Sequence, residues 1–100
     1  MYGLTPEDLR VILAKLQAHP QIDEAVLFGS RASGTFKKGS DVDIALKGKN
    51  IEQIVATVSG LLNEESPLPY FFDIIDYYQI DNDDLKNHID RVGKIIYKNH

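Results

Sequence analysis

Asp41 and Asp43, separated by one apolar residue in Ser40-Asp41-Val42-Asp43-Ile44, are the residues of this chain best placed to do chemistry. In a strand, residues i and i+2 share a face, so the two carboxylates stand side by side while Val42, Ile44 and Leu46 point into a core. Like charges that close repel unless something positive lies between them. A hard divalent cation such as Mg2+ meets that need, because it takes carboxylate oxygens and is shared with the phosphate oxygens of a substrate. Upstream, the apolar run Val26 to Phe28 breaks at Gly29-Ser30. Gly29 lets the backbone approach a phosphate closely, and Ser30, opening a helical turn, supplies a hydroxyl with backbone N–H groups beside it. Taken alone, Gly29-Ser30 reads equally as a turn with a cap. The spacing to Asp41 and Asp43 favours the phosphate reading.

To bring Gly29-Ser30 next to the two aspartates, the strands that carry them must lie side by side and run antiparallel, so a mixed sheet is expected. Ala25–Phe28 is the first strand, followed by a helical turn or two that Gly34 interrupts; Asp41–Leu46 is the second, with Lys47-Gly48-Lys49 as its exit turn. Before them, Thr5-Pro6-Glu7-Asp8 starts a helix with a Thr cap, Pro at the first position and acids in the first turn. Leu9, Ile12, Leu13 and Leu16 continue it on one face, and His19-Pro20 ends it, which places a helix over Pro6–Ala18. Asn50 is the expected cap of the next helix, whose apolar face repeats through Ile51, Ile54, Val55, Val58, Leu61 and Leu62 with Gly60 lowering its stability. Pro67 and Pro69 mark a loop, and Tyr70–Ile75 reads as a third strand. Asp81 or Asn82 caps a last helix with Leu85, Ile89 and Val92 as its stripe, Gly93 stops it, and Ile95-Ile96-Tyr97 is left as a short apolar tail.

Composition narrows the class. One hundred residues, 43% hydrophobic and 26% charged, fit one modest soluble domain spanning 1–100. With no cysteine, neither a disulfide framework nor a thiolate metal site is possible. The N-terminus lacks the pattern of a signal peptide, and no apolar run approaches a membrane span, so a cytoplasmic protein is expected. The formal charge of −4 argues against non-specific nucleic-acid binding.

Phe28-Gly29-Ser30, ten residues, then Asp41-Val42-Asp43-Ile44 resembles the signature of the polymerase-beta-type nucleotidyltransferase superfamily. The fuller form GSRASG…SDVDIAL resembles its smallest branch, the minimal nucleotidyltransferases or MNT domains. The resemblance implies an α/β (α+β) nucleotidyltransferase fold, a small mixed sheet of three to four strands flanked by about four helices. Two aspartates leave a two-metal site short of ligands, so a third acid is required. Asp73 sits mid-strand among apolar residues, where a charge is costly without a partner, whereas Asp76 points to the opposite face at the strand's end. The family places its third acid in an apolar-Asp-apolar-apolar context that Asp73 matches, which makes Asp73 the expected ligand and Asp76 the substitute.

Around the phosphate site, Gly29, Ser30, Arg31 and Ser40 form the expected nucleotide-binding set. Arg31 is suited to bidentate phosphate contact, with a solvent-facing role equally open. Ser33 stands where family members often carry a basic residue, which weakens a loop grip by several cations. Lys37 and Lys38 read as a solvated loop, with nucleotide contact as the alternative. His19, His88 and His100 have neither metal spacing nor a nucleophile nearby and read as structural or surface residues. Asp81, Asp83 and Asp84 favour a helix N-terminus through its dipole.

By resemblance, the chemistry is transfer of NMP, with ATP as the first-choice donor, onto a hydroxyl acceptor, supported by two Mg2+ ions for which Mn2+ can substitute. MNT proteins commonly occur as antitoxins beside an all-helical HEPN toxin, whose tyrosine hydroxyl is the acceptor. A chain with no room for an acceptor-binding domain suits that arrangement. Two other readings stay open: a binding module that neutralises its partner by contact alone, and the catalytic half of a two-subunit transferase acting on a small molecule such as an aminoglycoside.

Overall fold

The computed structural model describes residues 1–99, so the expectation for His100 lies outside the described residues. Its elements run α1 (Pro6–Gln17), β1 (Ile22–Phe28), α2 (Gly29–Ser33), β2 (Val42–Gly48), α3 (Glu52–Glu64), β3 (Phe72–Asp76), a 3₁₀ turn (Tyr77–Gln79), α4 (Asp83–Val92) and β4 (Lys94–Lys98). The strands form one sheet in the order β3-β2-β1-β4. β1 is antiparallel to both β2 and β4, while β3 lies parallel to β2 after crossing over through α3. The sheet is mixed, as the placement of the acids required.

Alternation along the strands divides the apolar residues between two faces. Ala25 and Leu27 of β1, Val42, Ile44 and Leu46 of β2, and Phe72 and Ile74 of β3 pack with Ile12 and Leu16 of α1 and Val58 and Leu62 of α3. Burial of that many aliphatic side chains, at roughly 1.5–3 kcal/mol each, is the main drive to fold. The opposite face is smaller: Val26, Phe28 and Ala45 pack with Ile89 of α4. α1 begins with a reciprocal cap, in which Thr5 Oγ1 accepts from the Asp8 amide and an Asp8 carboxylate oxygen accepts from the Thr5 amide, both at 3.0 Å.

Several boundaries differ from the sequence reading, each for a physical reason. β1 starts at Ile22 rather than Ala25, because ladder hydrogen bonds do not require an apolar run: Glu24 sits between Lys47 and Lys98, with carboxylate–ammonium distances of 3.9 Å to each. The tail Ile95-Ile96-Tyr97 is an edge strand rather than a tail, opposite Val26 and Ala25 of β1. Lys47 and Gly48 remain in the β2 ladder, which delays the exit turn. Asn50 does not cap α3: it takes φ +53°, and the cap position falls on Ile51 without a side-chain hydrogen bond. Asn82, not Asp81, caps α4 by accepting from the Leu85 amide at 3.2 Å. The outer edge of β3 is held from α3, where the Asn63 amide accepts from Phe72 N at 2.7 Å and donates to Phe72 O at 2.9 Å. Among the described residues no helix is long and apolar enough to cross a membrane.

Candidate active site

The strand register determines which acids meet. Antiparallel pairing sets Asp43 opposite Phe28, so the chain turns into Gly29-Ser30 right beside it. Parallel pairing sets Asp43 opposite Asp73, one strand spacing away at about 4.8 Å, on the same face. Asp41 stands just before the first residue of β2, exposed, as is Asp73; Asp43 is half-buried between them. The face they share is the smaller one, covered by α4. Asp76 pairs with Leu46 and so faces the main core side; its carboxylate accepts from the Tyr78 amide at 3.0 Å and caps the 3₁₀ turn. That bond gives Asp76 a structural role and leaves Asp73 as the third acid beside Asp41 and Asp43.

Asp43 feels the crowding. Burial, and then the charges of Asp73 and Asp41, push its carboxyl above the usual carboxylate range, with the Arg31 charge offsetting part of the rise. Gly29 closes the site from below at φ +73°, a conformation that favours glycine, and a Cβ there would collide with Asp43 Oδ2. Among the described residues no three His, Cys, Asp or Glu side chains are arranged so that together they could hold a metal ion. The donor types still suit one: the oxygens are hard, the register sets the acids side by side, and among the described residues no ion pair engages Asp43.

Arg31 and Ser40 are engaged differently from the expected nucleotide contacts. Arg31 is 3% exposed, neither solvent-facing nor reaching outward. Its Nε and Nη2 donate to the Ser40 carbonyl at 3.2 and 2.8 Å, and Nη1 donates to the Tyr2 carbonyl at 3.1 Å. The guanidinium lies between the Phe36 and Tyr70 rings, 5.4 and 4.9 Å from their centroids. The Ser40 hydroxyl is used inside the loop, accepting from the Lys37 amide at 2.8 Å. Arg31 therefore clamps the segment that delivers Asp41. Lys37 and Lys38 are exposed and line a cavity of about 340 Å³ with Phe36, Tyr70 and Pro69, which none of the three acids lines.

His88 is the site neighbour that the sequence reading set aside. It projects from α4, and its Nε2 accepts from the Gly29 amide at 3.0 Å. The signal was present: Leu85, His88, Ile89 and Val92 lie at i, i+3, i+4 and i+7, so His88 belongs to the inward face of α4. What periodicity cannot say is which strand end that face meets. His19 is structural, its Nδ1 hydrogen-bonded to the Lys15 carbonyl at 3.0 Å.

The pattern of the family described as polymerase beta, nucleotidyltransferase matches residues 11–100. A toxin–antitoxin crystal structure with AMP-PNP superposes with a TM-score of 0.74 at 22% identity, covering 91% of this chain and 73% of the other. A mutant toxin–antitoxin pair named MntA–HpeT gives 0.73 at 20%, covering 90% and 73%. A tri-AMPylated Shewanella oneidensis HEPN toxin in complex with an MNT antitoxin gives 0.58 at 20%, covering 90% and 69%. Among curated proteins none matches significantly. The match over nine-tenths of the sequence, on a fold shared with MNT-type antitoxins, shows that the chain belongs to the polymerase beta nucleotidyltransferase family and is a nucleotidyltransferase.

Proposed function

We propose that this protein is a minimal, metal-dependent adenylyltransferase, a single domain over residues 1–100, that moves AMP from ATP onto a tyrosine hydroxyl of a HEPN-type helical partner and thereby acts as its antitoxin in the cytoplasm. The observation that carries the reading is the register that sets Asp43 beside Asp73 and against Gly29. Gly29 and Ser30 bind the triphosphate, the missing Cβ allowing close approach. Asp41, Asp43 and Asp73 would hold two Mg2+ ions, for which Mn2+ can substitute. Bound there, the ions supply positive charge to the phosphates and lower the pKa of the acceptor hydroxyl.

Asp73, exposed on the edge strand β3, would orient that hydroxyl and accept its proton. The hydroxyl oxygen attacks the α-phosphorus in line; a new P–O bond forms as the bond to the bridging oxygen breaks, and pyrophosphate leaves with the electron pair. Arg31 keeps Asp41 in place through the Ser40 carbonyl. The pairing with a HEPN partner is supported by structural neighbours that are toxin–antitoxin complexes, one of them AMPylated.

The test is co-expression with a HEPN-type helical protein, followed by intact mass spectrometry of that partner. Added mass in whole AMP units, located on tyrosine, supports the proposal. A partner that is silenced without added mass would show neutralisation by contact alone.

A further inference from the structure

The first N–H groups of a helix have no partner inside it, and a side chain at the cap position usually supplies one. At α2 the cap residue is Phe28, which makes no side-chain hydrogen bond. The Gly29 amide is instead taken by His88 from another element, 59 residues further along the chain, at 3.0 Å. This amide belongs to the residue lying directly beneath Asp43 Oδ2. The tilt of its peptide therefore sets the separation between the Gly29-Ser30 turn and the carboxylates.

The imidazole is itself fixed. Its ring meets the Phe28 ring edge-on, with centroids 6.4 Å apart at 78°. The next residue, Ile89, is 2% exposed and anchors α4 to the sheet. To accept from an amide, Nε2 must carry no proton, so the ring is neutral with its proton on Nδ1.

We propose that His88 is a positioning residue for nucleotidyl transfer: by accepting the Gly29 amide it holds the phosphate-binding turn at its working distance from Asp41, Asp43 and Asp73. This inference rests on the reading of Gly29-Ser30 as the phosphate site. A side chain that only capped a short helix would affect stability and leave nucleotide affinity alone. A positioning residue affects affinity, and an acceptor of similar reach restores it.

The experiment combines calorimetric titration of Mg2+–ATP with 15N NMR of the histidine ring at mildly alkaline pH. In the wild type, His88 should show an unprotonated Nε2. His88→Leu should bind Mg2+–ATP about tenfold more weakly, equivalent to about 1.4 kcal/mol. His88→Gln, whose side-chain oxygen reaches about as far as Nε2, should recover affinity to within about twofold of wild type. A protonated Nε2 in the wild type, unchanged affinity in His88→Leu, or a glutamine variant no better than leucine would each overturn the inference. The NMR measurement needs only the wild type and decides even if the leucine variant fails to fold. A wild type that does not bind Mg2+–ATP at all would instead remove the phosphate site on which the inference stands.

Discussion

Asp8 in α1 and Asp43 in β2 are both aspartates drawn partly out of water. Asp8, at the start of α1, accepts from the Tyr70 hydroxyl at 2.7 Å and from the Thr5 amide at 3.0 Å. The Tyr70 bond, then the Thr5 backbone bond, hold its carboxyl below the usual carboxylate range. Among the described residues no donor bonds the Asp43 carboxylate, and burial, then the charges of Asp73 and Asp41, hold its carboxyl above that range. One acid has been given everything it needs by its own chain; the other has been left short. A fold that satisfies Asp8 so fully shows that the chain can satisfy a carboxylate, which makes the deficit at Asp43 informative: a carboxyl held above its usual range beside two further acids marks a candidate functional site.

The largest expected effect comes from removing the deficit. Asp41→Asn with Asp43→Asn keeps volume and removes repulsion, so the protein should stay folded by circular dichroism. Transfer of AMP to the co-expressed partner should fall by about 100-fold or more, equivalent to about 2.7 kcal/mol of transition-state stabilisation, read as lost added mass. Equal silencing by this variant, with no added mass from the wild type, would break the comparison, since the unsatisfied acids would then have no chemical use.

Next in size is the clamp that joins the two regions. Arg31 touches the Ser40 carbonyl before Asp41 and stacks on Tyr70, the partner of Asp8. Arg31→Met keeps the stem but strands two carbonyls, and should cost about 2 kcal/mol in urea unfolding. Asp8→Ala should cost about 1.5 kcal/mol by the same measurement, through the lost cap and the freed Tyr70 hydroxyl.

The smallest effect has opposite signs at the two acids. The stabilisation from Asp8 is present above the usual carboxylate range and is lost as pH falls through its depressed pKa. The penalty from Asp43 is present above its raised pKa and disappears as pH falls through it. Asp43→Asn should therefore raise the thermal midpoint by roughly a few degrees at neutral pH in the absence of divalent metal, with the gain shrinking in acid. Added Mg2+ should narrow the difference from the wild-type side.

The same contrast explains what the sequence could reveal. The Asp41–Asp43 spacing and the isolated acid in Phe71-Phe72-Asp73-Ile74 are legible because strand period is local, and a charge in an apolar run stands out. α1 and α4 were legible because their caps and stripes are also local. Arg31 was not: its burial depends on Phe36, Tyr70 and the Tyr2 carbonyl, which converge only in three dimensions. β4 was missed because Lys94 and Lys98 flank a short run, and only pairing with β1 makes it a strand. His88 had the right period, but its partner is a backbone amide with no side chain to advertise it.

The Asn63 side chain, bonded to both backbone groups of Phe72, has a consequence for how this chain can change over generations. It pins β3 one residue before Asp73, and a one-residue slip in a strand sends every side chain to the other face. Insertions between Ser66 and Pro69, outside that pin, lengthen a surface loop at little cost. A single codon inserted between Phe72 and Asp73 would send Asp73 to the main core face, where Ile74 now stands. Descendants of this gene are free to vary the length of the approach to the third acid, but not the two positions that count it into place.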